Sequence, residues 1–266
     1  MTEPPAPVRA RPSASLVIGR DRAAGWEVFM VRRHRATAFA GGALVFPGGA
    51  LEAEDDLRAE RTDLLQAHRV AAIRETFEEV GILFAKHADG GWPRPELLAA
   101  LAEERQRLAR GEAAFPALLA RYRLRPAVEA LTAFAHWVTP PDRPRRFATR
   151  FFLAAAPPFQ QGRHDGVELV DSFWAAPARV VALGASGEHL VMRATEVNCR
   201  RLAAYGSCAE AIADFRAHPE SLVTPTYFEA GGARYFSVPA RGARGVLTLA
   251  ARSQPRVRTE AEPRPR

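Results

Sequence analysis

The sequence predicts an α/β protein that is built around one amphipathic helix and carries a helical insertion. Residues 69–81 repeat apolar side chains at the helical spacings of three and four. Four segments have the apolar, β-branched and aromatic content of sheet strands, namely 15–19, 26–31, 130–138 and 147–153. From 93 to about 125, leucine and aromatic residues recur at helical spacing around a break at Gly111, which predicts a two-helix insertion.

The helix over 69–81 is predicted to have an apolar side and an acidic side. Its apolar positions are Val70, Ile73, Phe77 and Val80. Glu75, Glu78 and Glu79 share the opposite side, within about a third of the circumference. Like charges this close repel, so the cluster indicates a cation, and carboxylate oxygens favour Mg²⁺ or Mn²⁺. A solvated acidic surface is the alternative. Gly81 is expected to end the helix.

The charge and hydropathy of the chain limit its possible partners. The 266 residues carry a net charge of +7, nearly all of it from arginine. A positive surface would steer phosphate-bearing substrates towards an acidic cleft, although the same excess is also typical of a biased genome composition. Nucleic acid is a secondary alternative, since the sequence has no nucleic-acid-binding signature beyond its charge. No stretch approaches the ~20 apolar residues of a membrane span, so we expect a cytoplasmic protein with no membrane partner.

One domain is expected over residues 14–251. Residues 1–13 are rich in proline and alanine, and residues 252–266 in arginine, proline and glutamate, so both segments are predicted to be disordered. C-terminal helices and a hairpin are predicted over about 190–240, with the hairpin turning at Gly231. That hairpin is a candidate edge element of the sheet or a candidate contact for a homodimer.

Two stretches resemble a known motif. Residues 74–82, Arg-Glu-Thr-Phe-Glu-Glu-Val-Gly-Ile, resemble the second half of the Nudix box, G-x5-E-x7-R-E-U-x-E-E-x-G-U, and residues 46–52 resemble the loop that opens it. Five fixed positions in the second half arise by chance roughly once per million windows, so the match is specific. The chain departs from the box because Asp55 or Asp56 stands where its first Glu is expected, about ten extra residues follow, and Thr76 replaces an aliphatic residue.

The resemblance implies a Nudix α/β/α sandwich with a mixed sheet that hydrolyses a diphosphate with a metal ion. Glu75, Glu78 and Glu79 would bind Mg²⁺ or Mn²⁺, and Arg74 would orient a carboxylate by a charge-assisted hydrogen bond. Glu168 lies in a segment that often carries a further carboxylate in this family. These five residues are the catalytic candidates. The general base could be Glu78, Glu79 or Glu168.

Residues 30–49 are similar to the segment before the box in coenzyme A diphosphatases. The candidate substrate-binding residues are Arg32, Arg33, Phe46, Gly48 and Gly49. The two arginines are included because guanidinium groups match phosphate oxygens. Glycine lets the backbone approach a ligand closely, so the carbonyl of Gly48 is also a candidate metal ligand.

The order of box, helical pair and Trp137-Val-Thr-Pro resembles the mammalian peroxisomal coenzyme A diphosphatase branch and its bacterial relatives, which also carry an insertion inside the box. This resemblance implies cleavage of coenzyme A or acyl-CoA to adenosine 3′,5′-bisphosphate and (acyl-)phosphopantetheine. NADH, ADP-ribose and capped RNA are alternative substrates, and a Nudix regulator that binds a nucleotide without cleaving it is the alternative from another class. Arg264-Pro-Arg266 is not a peroxisomal Ser-Lys-Leu signal.

Overall fold

The computed structural model describes residues 8–37, 40–56, 64–139, 144–218, 226–231, 233–239 and 246–250. The strands within these ranges are β1 (Arg11–Arg22), β2 (Gly25–Arg33), β3 (Ala43–Val45), β4 (Gly48–Ala50), β5 (Ala85–His87), β6 (Leu124–Pro126), β7 (Thr132–Val138), β8 (Phe147–Ala155), β9 (Leu169–Ala175), β10 (Leu190–Val191), β11 (Thr226–Ala230), β12 (Ala233–Pro239) and β13 (Val246–Ala250). The helices are α1 (Leu64–Val80), α2 (Pro95–Ala109), α3 (Phe115–Arg121), α4 (Pro177–Ala185), α5 (Arg193–Leu202) and α6 (Cys208–Ala217).

The main sheet is mixed, with the strand order β10-β3-β2-β1-β8-β7. The β1/β8 and β10/β3 pairs are parallel, whereas β2 runs antiparallel to both β1 and β3. Two further strands also belong to this sheet. Strand β4 pairs with β1 at Ser13–Ser15, and β9 pairs with β2 from Val28 to Arg33. Because β4 directly follows Phe46-Pro47 and β9 directly follows Glu168, this pairing ties both candidate loops to the sheet.

Helices cover both faces of the sheet. On β1, Leu16 and Ile18 face a core that includes α1, α2 and α3, while Val17 faces a second core that includes α4, α5 and α6. This alternation is the period-two pattern of a strand that is buried on both sides. The predicted α/β/α sandwich with a mixed sheet and a helical insertion is therefore confirmed. The insertion is formed by α2 and α3, which pack on the same face as α1.

The central helix follows the predicted pattern at its C-terminus. All four predicted apolar positions of α1 are at most 2% exposed. Gly81 adopts a φ of +71°, and its N–H donates to the carbonyl of Phe77 at 2.9 Å, so it ends the helix as expected. The helix begins at Leu64, five residues before the predicted start at Arg69, because the extra turn also buries Ala67 and His68.

The N-terminal strand is longer than the sequence suggests. It begins at Arg11, inside the segment 1–13 that we expected to be disordered, and Arg11 pairs with Phe147 of β8. The backbone N–H of Arg11 donates to the carbonyl of Arg146 at 2.9 Å. Backbone pairing with a neighbouring strand does not depend on the proline- and alanine-rich composition that favoured disorder.

At the C-terminal end, β11 and β12 form the predicted antiparallel hairpin, and β13 adds a third strand that the sequence did not indicate. The predicted disordered tail, residues 252–266, lies outside the described residues. None of the helices in the described ranges has the length and apolar character needed to cross a bilayer.

Candidate active site

A buried arginine lies at the centre of the candidate site. Arg74 of α1 donates from Nε to Asp55 Oδ1 at 2.9 Å and from Nη2 to Asp55 Oδ2 at 3.1 Å, which is the bidentate geometry of a strong ion pair. Nη2 also donates to the carbonyl of Ala50 at 3.1 Å. Asp55 is only 1% exposed and lies in the short 3-10 turn Ala53–Asp55. Asp55 is thus the carboxylate, near the position of the first glutamate of the box, that fixes the arginine.

The remaining donor of Arg74 faces two of the predicted glutamates. Nη1 donates to Glu75 Oε1 at 3.1 Å and to Glu78 Oε2 at 3.3 Å. Burial alone would lower the pKa of Arg74, but the hydrogen bond to Asp55 and the charges of Glu75, Asp55 and Glu78 raise it above its ordinary value. The guanidinium therefore stays charged and joins the turn before α1 to the acidic side of that helix.

The third glutamate has a different partner. Glu79 Oε2 accepts a hydrogen bond from the backbone N–H of Gly48 at 2.9 Å. Gly48 has a φ of +149°, and a Cβ there would collide with the backbone of Ala14 and Ser15. A Cβ on Gly49 would overlap the carboxylate of Glu75. Glycine is therefore required at position 48 for β4 to pair with β1, and a side chain at position 49 would displace the carboxylate of Glu75. The metal-binding role of the Gly48 carbonyl stays a prediction.

Burial makes the three glutamates reluctant to ionise. It raises the pKa of Glu75 and of Glu78 to about 7, even though the charge of Arg74 acts in the opposite direction. Burial also raises the pKa of Glu79 well above its ordinary value, helped by the charge of Glu75 and opposed by the Gly48 N–H and by Arg33. Arg74 alone therefore does not balance the cluster, and an added cation would favour the ionised carboxylates.

The donor set suits a hard divalent cation, because it consists of closely spaced carboxylate oxygens. In the described part of the chain, no three His, Cys, Asp or Glu side chains already surround one point as a ready-made metal site. The reason lies in their present partners, since Glu75 and Glu78 turn towards Arg74 and Glu79 turns towards Gly48. A cation would compete with Arg74 and with the Gly48 N–H for these oxygens.

Two of the predicted site residues lie beside this cluster. Arg33 Nη2 is 3.9 Å from Glu168 Oε2, and both charges act on the pKa of Glu79. Arg32 has a different position. Along β2, Phe29 and Val31 face α1 whereas Met30 faces the other core, so Arg32 follows Met30 onto the face opposite the glutamates. Its Nη2 lies 3.6 Å from Asp171 Oδ2.

Phe46 differs most from the prediction. We expected it to contact substrate, but it is 3% exposed and lies in the core beneath α4, α5 and α6. Its ring packs edge to face on Phe151, with centroids 6.5 Å apart. An aromatic side chain next to a glycine-rich loop is compatible with either role, and here burial of its apolar surface decides in favour of the core. We therefore withdraw Phe46 as a substrate-binding residue.

The insertion supplies a site residue that the sequence analysis missed. Arg105 of α2 donates from Nε to the carbonyl of Glu78 at 2.9 Å and from Nη2 to the carbonyl of Glu79 at 2.6 Å. It thereby satisfies two of the backbone acceptors that the end of a helix leaves without a partner. Arg105 lies in the charged run Glu-Glu-Arg-Gln-Arg, where nothing in the sequence distinguishes it from a solvated side chain.

The stabilising effect of Mg²⁺ is expected to depend on pH. Glu75 and Glu78 have pKa values of about 7 in the folded chain, against an ordinary value of 4.5, so the folded state binds more protons between these limits. Without metal, their contribution to stability therefore falls as the pH rises through this window. Protons compete with a cation for the same oxygens, so Mg²⁺ should raise Tm more at about pH 8 than at about pH 5.5.

Thermal unfolding with EDTA and with Mg²⁺ at the two pH values measures this effect. The matched control is Glu103→Gln on the exposed side of α2, which should retain the full Mg²⁺ shift. Glu78→Gln should lose most of it. A shift of equal size at both pH values would contradict the prediction.

Comparisons with known proteins agree with this geometry. Residues 61–192 match the family model described as the NUDT19 Nudix domain. The acyl-coenzyme A diphosphatase NUDT19 of Gallus gallus is 28% identical over 212 residues, which cover 59% of this chain and 55% of that protein. The human protein of the same name is 29% identical over 213 residues, covering 74% and 57% respectively. The chain spans little more than half the length of these two relatives.

A solved structure shows the same fold over most of the chain. The crystal structure of a Nudix hydrolase from Alicyclobacillus acidocaldarius superposes with a TM-score of 0.66 at 29% identity. The match covers 77% of this chain and 96% of that one. The family model, the relatives, this superposition and the arginine-glutamate cluster on α1 agree with one another. Over residues 61–192 in sequence and over 77% of its length in structure, the chain resembles the Nudix hydrolase family.

Proposed function

We propose that this protein hydrolyses the diphosphate linkage of coenzyme A or acyl-CoA, releasing adenosine 3′,5′-bisphosphate and (acyl-)phosphopantetheine. The observation that carries the proposal is the cluster of Glu75, Glu78 and Glu79 on α1, in which Glu75 and Glu78 accept from Arg74 and Glu79 accepts from the N–H of Gly48. The choice of substrate is supported by the two relatives named acyl-coenzyme A diphosphatase. A cytoplasmic location and a homodimer remain predictions from the sequence.

The metal we propose is Mg²⁺ or Mn²⁺, held by Glu75, Glu78 and Glu79. When bound, it would neutralise the diphosphate and lower the pKa of a water molecule, so that the water can attack phosphorus in line with the leaving phosphate. The protein's own contribution is to hold the carboxylates in place. Arg74 aligns Glu75 and Glu78 through Nη1, and the Gly48 N–H aligns Glu79. Arg33, beside Glu79, adds positive charge where the diphosphate would lie.

One of the glutamates must also take the proton of the attacking water. Glu78, Glu79 and Glu168 are the candidates. Glu79 is the most buried of the three, and burial raises its pKa above the ordinary value, which favours uptake of a proton. Glu168 is well exposed, which leaves its side chain the freest of the three to change position. Its Oε2 lies 3.9 Å from Arg33 Nη2. Their roles would be separated by comparing the three glutamine variants.

The substrate can be identified in one experiment. We expect that incubation with Mg²⁺ and a pool of coenzyme A, NADH, ADP-ribose and a capped dinucleotide consumes coenzyme A and forms phosphopantetheine. Mass spectrometry of the products measures this, and EDTA should abolish the reaction. Cleavage of a different member of the pool would support diphosphate hydrolysis but would show that coenzyme A is not the substrate. No cleavage of any member would favour a regulator that binds a nucleotide without hydrolysing it.

A further inference from the structure

A cleft of about 540 Å³ lies between the insertion and the end of the central helix. One wall is α2, the floor is the last turn of α1, and the other wall is the loop that precedes β9. Its lining includes Val80, Leu98, Ala102, Arg105, Arg163 and His164. Apolar and cationic side chains therefore face the same space. The lining contains none of the three glutamates of the catalytic cluster.

The walls of the cleft are fixed by hydrogen bonds. Arg105 joins α2 to the carbonyls of Glu78 and Glu79, as described above. On the opposite side, the N–H of Arg163 donates to the carbonyl of Val80 at 2.8 Å. Gln160 holds the start of the same loop, because its side chain accepts from the N–H of Leu83 at 2.7 Å and donates to the carbonyl of Leu83 at 3.1 Å. The cleft is thus formed before any ligand binds, which lowers the entropic cost of binding.

The cleft is suited to an anion. Arg163 is exposed at its rim, and its guanidinium makes no hydrogen bond or ion pair with the described residues. Arg105 adds positive charge to the same lining, while the imidazole Nδ1 of His164 is held by the carbonyl of Leu169 at 3.2 Å. Asp165, whose charge acts on Arg105, is engaged by its own loop, where it accepts from the N–H groups of Val167, Glu168 and Leu169. A guanidinium free to form two parallel bonds matches the oxygens of a phosphate monoester.

The cleft also lies next to the proposed reaction centre. Arg105 touches the backbone of Glu78 and Glu79, whose side chains belong to the acidic cluster. The charge of Glu79 acts on Arg105, so a group that flanks a diphosphate held at Glu79 would extend towards the cleft. Val80, Leu98 and Ala102 offer that group an apolar wall, and Arg163 offers its charge a partner. A group that matches both features has an apolar part, flat or aliphatic, and a phosphate.

We propose that this cleft binds the adenosine 3′-phosphate end of the substrate, with the 3′-phosphate on Arg163 and the nucleoside against the apolar wall of α2. This inference rests on the proposed function, since it assigns one end of coenzyme A to a place beside the cleaved diphosphate. It makes the insertion a determinant of specificity, because α2 supplies the wall that a shorter chain would lack. Substrates without a phosphate monoester at this position should bind more weakly.

The test measures binding without turnover, using two product-like nucleotides. Isothermal titration calorimetry should show adenosine 3′,5′-bisphosphate binding about tenfold tighter than 5′-AMP, since the two differ only in the 3′-phosphate. Arg163→Gln should remove most of that difference. Ala102→Glu, at an exposed position of the wall, should also reduce it by placing a carboxylate near the phosphate. The control is Arg179→Gln on α4, on the opposite face of the sheet, which should leave the ratio unchanged.

Three results would overturn the inference. The wild type could bind both nucleotides equally tightly, or Arg163→Gln could lose the same affinity for both. The third is a loss of the preference for the bisphosphate in Arg179→Gln as large as that in Arg163→Gln. Failure of the proposed function is separate, because it would appear as intact coenzyme A after incubation with Mg²⁺. A wild type that leaves coenzyme A intact but retains the tenfold preference for the bisphosphate would support the cleft assignment and reject the hydrolytic function.

Discussion

Glu78→Gln is expected to lower the turnover of diphosphate hydrolysis by about 10²–10⁴-fold while the fold stays intact. The carboxylate of Glu78 lies on the acidic side of α1, where it accepts from Arg74 Nη1 at 3.3 Å. Glutamine keeps the shape and one acceptor oxygen but neither carries a charge nor takes a proton. Because the charge of Glu75 opposes ionisation of Glu78, removing one of the two like charges should leave the thermal stability unchanged or higher.

Initial rates with coenzyme A and thermal unfolding of the same samples measure both parts of this expectation. The matched control is again Glu103→Gln, which makes the same chemical change on an exposed position of α2 and should keep normal turnover. If Glu78→Gln kept turnover close to that of the wild type, the acidic cluster would have no part in the reaction. A fall in turnover that accompanies a large fall in Tm would instead indicate a structural role.

Local patterns predicted the central helix and its acidic side well, for physical reasons. A helix repeats every 3.6 residues, so the spacing of Ile73, Phe77 and Val80 places them on one buried face without knowledge of the rest of the chain. The same spacing groups the glutamates opposite, and a glycine at the end of an apolar run favours a left-handed C-cap such as Gly81. Each of these features is set within a few residues.

Features that depend on distant contacts were not predictable in this way. Asp55 lies in a charged segment that is typical of a solvated loop, and its burial depends on the approach of Arg74 together with the N–H of Glu52. Phe46 was assigned to substrate because of its neighbours in the chain, whereas the packing of Phe151 across the sheet decides its position. Arg105 is related to the site only through the fold of α2 against α1. Long-range partners cannot be read from composition or periodicity.

Arg74→Met is expected to lower the free energy of unfolding by about 3–5 kcal/mol, because it leaves the buried carboxylate of Asp55 without its cationic partner, with the N–H of Glu52 still donating to Oδ2. Both guanidinium bonds to Asp55 are lost, and the carbonyl of Ala50 loses its donor as well. Methionine fills a similar volume, so the loss reports charge and hydrogen bonding more than a cavity. Equilibrium unfolding in urea measures it. Arg179→Met, at the exposed pair with Glu188, is the control and should cost about 0–1 kcal/mol.

A second substitution separates the two roles of Arg74. If the buried charge of Asp55 causes the instability, Asp55→Asn in the Arg74→Met background should recover part of the lost stability, although each substitution alone destabilises the protein. Turnover should stay low in the double variant, because Glu75 and Glu78 still lack the donor that aligns them. A double variant no more stable than Arg74→Met would show that the Asp55 charge is not the cause. Recovery of stability without turnover would show that this arginine both compensates a buried carboxylate and positions the reactive ones.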